Sequence, residues 1–149
     1  MKTQKHLQKT FMLQQGQSDC GVACLLSLVK YYGGDNRLER LRELSGTTQE
    51  GTTLLGLYQS ANQIGFDAEG MEADGTDNLK DLENPVILHV LMEGTLQHYV
   101  VYFGFENNKF IIGDPAKGIV KLSESELLSI WQSKALLQLT PNESFVKIS

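Results

Sequence analysis

Only two cysteines occur among the 149 residues, and they stand four apart. On one helix such a pair holds its Cβ atoms about 5–6 Å apart, whereas a disulfide needs about 3.8 Å. Cys20 and Cys24 are therefore expected as free thiols, which fits a reducing compartment, the cytosol. Basic clusters are absent too, and the formal net charge is -5. Nothing offers a phosphate-tracking stripe, so nucleic acid is excluded as the main partner. No apolar stretch is long enough to cross a membrane: the densest run, Val86 to Met92, is short and contains His89. The basic opening Met1-Lys2-Thr3-Gln4-Lys5-His6 is followed by no apolar signal-peptide core. Internal repeats and low-complexity segments are missing as well.

What is present is one ordinary domain. Apolar residues make up 41% and charged residues 21%, a globular composition on a chain long enough to bury a real core. Residues 1–10 read as a flexible lead-in, 11–140 as the folded domain and 141–149 as a linker. Ser18 or Asp19 caps a helix running to Tyr32, apolar nearly all round and hence central and buried. Asn36-Arg37-Leu38-Glu39 has the form of a capping box and opens a second helix ending near Ser45-Gly46. A third helix is predicted from about Thr53 to Ile64, stopped by Gly65. From Phe66 onward the period changes. Strands are expected at 66–72, 86–92, 96–105, 109–114, 119–122 and 135–139, with a short helical turn at 77–82. Ser123-Glu124-Ser125-Glu126 is a second capping box. Helices first and mostly antiparallel strands after is the order of an α+β domain.

The informative stretch is Gln14-Gln15-Gly16-Gln17-Ser18-Asp19-Cys20-Gly21. It sets Cys20 at a helix N-terminus, where free N–H groups and the macrodipole favour thiolate over thiol. Asp19 opposes that ionisation unless its carboxylate turns onto N–H groups of the first turn. Cys24, inside the apolar helix, reads as core. An amide from Gln14, Gln15 or Gln17 can donate to an oxyanion beside the backbone N–H of Cys20, and spacing does not choose among them.

His98 lies in a strand, and Asp114 ends the next one before Pro115. A two-residue turn at Asn107-Asn108 puts the two on opposite faces; a three-residue turn, Glu106-Asn107-Asn108, puts them on the same face as diagonal neighbours. Their meeting thus requires the odd-length turn. A two-residue turn at Glu93-Gly94 would instead set His89 opposite His98 and nominally offer zinc two histidines and two cysteines. The cysteine spacing, inside an apolar helix, is wrong for a zinc knuckle, so no metal is expected.

Gln14 with Asp19-Cys20-Gly21, Gly33 after Tyr31-Tyr32, Gly51-Thr52, His98-Tyr99-Val100-Val101, and Asp114-Pro115 followed by Gly118 occur in this order. Together they resemble the N-terminal peptidase domains of bacterial peptidase-containing ABC transporters, over roughly Gln14 to Leu139. The resemblance implies a papain-like cysteine peptidase fold, with N-terminal helices packed on a mostly antiparallel sheet. It implies that Cys20 is the nucleophile, His98 the base, Asp114 the orienter and Gln14 the oxyanion donor, with no cofactor. It also implies cleavage of bacteriocin or lantibiotic precursors after a Gly-Gly or Gly-Ala pair ending a helical leader. Leu54, Leu57 and Tyr58 of the third helix are candidates for the leader groove. The sequence has no membrane span and no Gly-x-x-x-x-Gly-Lys loop. A soluble domain is therefore expected, working at the cytoplasmic face of a bacterial plasma membrane beside transmembrane and ATPase domains of a longer polypeptide. A leader-binding module that does not cut, and a transglutaminase-like acyl transferase, are the alternatives.

Overall fold

The computed structural model describes residues 2–148. Four helices come first: α1 (Gln4–Thr10), α2 (Cys20–Tyr31), α3 (Leu38–Ser45) and α4 (Leu54–Gln63). Then follow β1 (Phe66–Glu72), α5 (Asp77–Lys80), β2 (Val86–Met92), β3 (Leu96–Glu106), β4 (Lys109–Asp114), β5 (Gly118–Leu122), α6 (Glu124–Ile130) and β6 (Ala135–Pro141). The strands form one sheet in the order β1-β6-β2-β3-β4-β5, every neighbouring pair antiparallel. This is the α+β architecture expected.

The sheet is covered on both faces, which is why β2, β3 and β4 are so nearly apolar throughout. On one face lies α2, buried along its whole length except Lys30. Val22, Leu25 and Leu28 pack there with Tyr99, Val101 and Phe103 of β3. Each such fully buried side chain stabilises the fold by about 1.5–3 kcal/mol relative to exposure. On the other face Leu127 and Trp131 at the α6 end and Leu79 of α5 pack with Val100, Tyr102 and Ile112.

The ends of the chain depart from expectation. Thr3 caps α1 by accepting from the His6 N–H, and α1 buries Leu7 completely. Residues 4–10 are thus a packed helix and not an unstructured lead-in. At the other end, the Asn142 N–H donates to the Gly65 carbonyl, the Ile148 N–H donates to the Gly33 carbonyl, and Phe145 packs on Phe66 and Tyr32. The aromatic ring and two backbone bonds fasten what reads in sequence as a linker. Met1 and Ser149, the outermost residues of those two segments, lie outside the described residues. The Asn36 capping box also fails to form. Arg37 is the N-cap of α3, and Asn36 spends its side-chain oxygen on the Arg37 N–H.

The β2–β3 turn is one residue longer than the two-residue turn weighed. The β3–β4 turn is the two-residue alternative, one residue shorter than the meeting of His98 and Asp114 was expected to require. The β2–β3 turn is Glu93-Gly94-Thr95, since Met92 pairs with Leu96. The β3–β4 turn has two residues, Asn107 and Asn108, both with positive φ (53° and 62°), and pairs Glu106 with Lys109. By itself that turn would separate His98 from Asp114. A β-bulge between Tyr102 and Gly104 restores the register: Gly104 pairs with Ile111, but Tyr102 with Ile112 and Val101 with Gly113. The bulge supplies the extra residue that the turn was expected to supply.

Candidate active site

Cys20 is the first residue of α2, and the helical ladder begins at the bond from the Ala23 N–H to the Asp19 carbonyl, 2.9 Å. The thiol is 6% exposed, at the edge of the core. Behind it, the Cβ direction of Gly21 meets Leu57, Thr52 and Tyr99 at 3.3 Å each. A glycine there lets α4 and β3 close directly on the helix.

His98 stands on β3 beyond the part paired with β4. Opposite it lies Val90 of β2, and the β4 ladder starts only at Val101. The side chain therefore clears the sheet end and reaches Asp114, the last residue of β4. His98 Nε2 and Asp114 Oδ1 are 2.7 Å apart. A carboxylate only accepts, so Nε2 carries the proton. The same oxygen accepts from the Ala116 N–H at 2.9 Å, which fixes its direction. Nδ1 is left free of Asp114, and Cys20 lies near enough to the ring for its charge to act on it.

The charges reinforce this arrangement. Burial pulls the His98 pKa down, but hydrogen bonds to Asp114 and Cys20 and their negative charge outweigh it and raise the value to about 9. Burial raises Asp114, yet the bonds from His98 and the Ala116 N–H, with Lys117 nearby, hold it below its ordinary value. Cys24 is pushed well above the usual thiol range by burial first and by the negative charge of Cys20 and Asp114 second. It is core, as expected. Both cysteines are free thiols. A thiol on an imidazole that is backed by a carboxylate can pass its proton to the ring and attack a carbonyl.

Gln14 reaches the same place through its backbone. Its N–H donates to the Pro115 carbonyl at 2.9 Å, beside Asp114. Its side-chain Nε2 donates to the Gly16 carbonyl at 3.0 Å, within its own loop. Gln15 and Gln17 are exposed. The third-helix residues divide. Leu57 is wholly buried and belongs to the core, which corrects its place among the groove candidates, because the contact with Gly21 consumes it. Leu54 is partly buried against the same core, and Tyr58 is exposed. Leu55, not singled out in sequence, is the most exposed apolar side chain of α4, at 63%. His89 lies opposite Tyr99, on the other face from His98, and its ring faces Ser133 and Gln97. Among the described residues no three metal-ligating side chains are gathered.

One contact had no sequence signal. Asp19 is almost completely buried, and Arg42 of α3 binds both of its oxygens, Nε to Oδ1 at 2.8 Å and Nη2 to Oδ2. The Gly16 N–H also donates to Oδ2, at 3.1 Å. Twenty-three positions separate the two side chains, and the chain offers many other bases.

Among the described residues no helix is long and apolar enough to cross a membrane. The sequence matches the Peptidase C39 family over residues 8–144. It is 40% identical to the lactococcin-G-processing and transport ATP-binding protein LagD of Lactococcus lactis, over 83% of this chain and 18% of that protein. It is also 40% identical to the pediocin PA-1 transport/processing ATP-binding protein PedD of Pediococcus acidilactici, over 92% of this chain and 19% of that one. The chain thus spans about a fifth of these curated relatives. Its fold superposes on the peptidase domain of Streptococcus ComA with a TM-score of 0.81 at 38% identity, covering 88% of this chain and 97% of the other. A double glycine motif protease from an AMS/PCAT transporter, solved in complex with a leader peptide, matches with a TM-score of 0.78 at 29% identity over 88% and 90% of the two chains. A thiol at a helix N-terminus, an imidazole on a papain-like sheet and a match along nearly all of its length agree: the chain belongs to the Peptidase C39 family, a family of cysteine peptidases.

Proposed function

We propose that this domain cleaves a precursor peptide immediately after a Gly-Gly or Gly-Ala pair that ends an N-terminal leader, with Cys20 as nucleophile. The observation that supports the reading is the His98 ring held by the Asp114 carboxylate at 2.7 Å and near enough to Cys20 to respond to its charge. His98 takes the thiol proton, and Asp114 holds the ring tautomer and the imidazolium that forms. The thiolate attacks the carbonyl carbon of the leader's last glycine. The Cys20 N–H and the Gln14 amide hold the oxyanion, for which Gln14 Nε2 gives up the Gly16 carbonyl. His98 then protonates the leaving amine, releasing the mature peptide. Water hydrolyses the remaining thioester and frees the leader with its new carboxylate.

Glycine gives an enzyme no side chain to grip, so selectivity for it comes from a channel too narrow for a Cβ. The leader itself is an amphipathic helix that seats its apolar face on this domain. Leu54 and Tyr58 are the groove candidates that α4 leaves accessible. The double glycine motif protease solved with its leader supports this substrate class. The transport/processing relatives support coupling to ATP-driven export. In that setting the domain faces the cytoplasm beside the transmembrane and ATPase parts of one longer polypeptide.

The test is incubation with a leader-bearing precursor and mass spectrometry of the products. We expect a single cut after the glycine pair. Cys20→Ala should lower the rate by about 10⁴-fold or more, with binding of the leader retained. A precursor that binds wild-type protein and emerges intact would make the domain a leader-binding module instead.

A further inference from the structure

Asp19 occupies the N-cap position of α2, and aspartate is among the best N-cap residues. It does not cap. Its backbone (φ -97°, ψ 2°) is not extended, and its side chain makes no bond to the first turn. At three other helices the cap is used, Thr3, Thr53 and Ser123 each accepting from the N–H three residues on, whereas Thr76 before the single-turn α5 donates to Glu124 instead. The Asp19 carboxylate is instead drawn sideways onto the fork of Arg42, with the Gly16 N–H completing its shell.

Resting on the assignment of Cys20 as nucleophile, we infer that Arg42 is a positioning residue for the cleavage reaction. It keeps the Asp19 carboxylate off the N-terminus of α2 and cancels its charge beside Cys20. Two consequences follow from the contacts. The first-turn N–H groups, that of Cys20 included, stay free of a side-chain acceptor that would compete with an oxyanion. The turn from Gly16 to Asp19 is also locked, and its Gly16 carbonyl is the one that parks the Gln14 amide. A bidentate guanidinium suits this task, because it neutralises the carboxylate and sets its plane together.

The remaining charged and titratable groups around Cys20 are His98 and Tyr99 from β3, Asp114 from β4 behind His98, and Cys24 on α2 itself. From α4 and the loop before it, Leu57 and Thr52 pack against Gly21 beside Cys20, and both are uncharged. The Asp19 carboxylate, next in sequence to Cys20, finds its bonded partners in Arg42 and the Gly16 N–H.

The test is the pH dependence of Cys20 alkylation by iodoacetamide in the full 149-residue chain, read by mass spectrometry, with buried Cys24 as the internal sign of folding. Arg42→Gln should move the midpoint up by about one pH unit, as an uncompensated neighbouring carboxylate does. Asp19→Asn should not raise it, and the double variant D19N/R42Q should return it to the wild-type value. An R42Q protein with a lowered melting temperature but an unmoved midpoint, or a shift that D19N does not rescue, overturns the inference. Should R42Q fail to fold, D19N decides: a raised midpoint overturns it, and one at or below wild type upholds it. His98→Ala separates the two levels. If it leaves the profile unchanged, the Cys20–His98 assignment itself fails; if it alters the profile while R42Q does not, only the role of Arg42 is lost.

Discussion

The His98 ring titrates near 9 where an ordinary histidine titrates at 6.5, and that difference has a consequence for stability. Below about pH 6.5 the ring is protonated in the folded and unfolded chain alike, so its contribution is fully present. Between about 6.5 and about 9 the unfolded chain sheds the proton first, and the contribution is lost as pH rises through the folded value. The wild-type melting temperature should therefore fall across this window more steeply than that of His98→Gln, as followed by circular dichroism. Equal slopes would remove the protonated ring as a source of stability. Asp114, held below its ordinary 3.8, works in the other direction, contributing above that value and losing it on acidification. The residue types of the site were legible, since thiols and imidazoles are rare enough here to be singled out, and Asp114 stands out among many carboxylates by ending a strand before Pro115. Arg42 was not, because an ion pair across 23 positions leaves no local pattern.

The element that decides the site is the bulge in β3. Tyr102 and Phe105 both face the α6 side although they stand three apart, and Phe103 faces α2. Strict alternation cannot do this; one extra residue can. Phe103 gains Tyr31 and Phe11 as neighbours, at ring separations of 5.9 and 6.1 Å. The sequence did hold a signal, Gly104, since a glycine within a strand pattern marks a bulge. Across the ladder, Gly113 makes room. A Cβ there would lie 2.5 Å from the Phe11 ring and 2.8 Å from the Phe103 ring. Gly113→Ala should therefore lower stability by about 1–3 kcal/mol, the usual effect of overpacking, measured by denaturant titration. It should also slow peptide cleavage, because Asp114 is the next residue. Unchanged stability would mean that both rings shift freely and that the bulge does not depend on the gap.

On the scale of the whole molecule, the two ends of the chain share one side of the core with α2. The α1 helix buries Leu7 there, and Phe145 sits on Phe66 with ring centroids 5.0 Å apart. Gly65 is what allows that approach: its φ is +107°, and a Cβ would fall 2.5 Å from the Phe145 Cα. Phe145→Ala removes a half-buried ring and should destabilise the domain by about 2 kcal/mol. For a chain of this size that reads as melting about 4–8 °C lower, with the rate of Cys20 alkylation unaltered. An unchanged melting temperature would restore the reading of this segment as a linker.

From α2 onward, the order of helices and strands, their approximate limits and the chemical types at the candidate site were determined by local sequence, because capping, glycine stops and apolar periodicity act over a few positions. Which hairpin register closes, where Asp19 points and what becomes of the chain ends were decided only by tertiary packing. Each turns on side chains meeting across tens of residues: Phe103 on Tyr31, Arg42 on Asp19, Phe145 on Phe66. A one-residue slip in a strand carries little local energy, yet it moves a side chain to the other face of the sheet, so the core had to choose it.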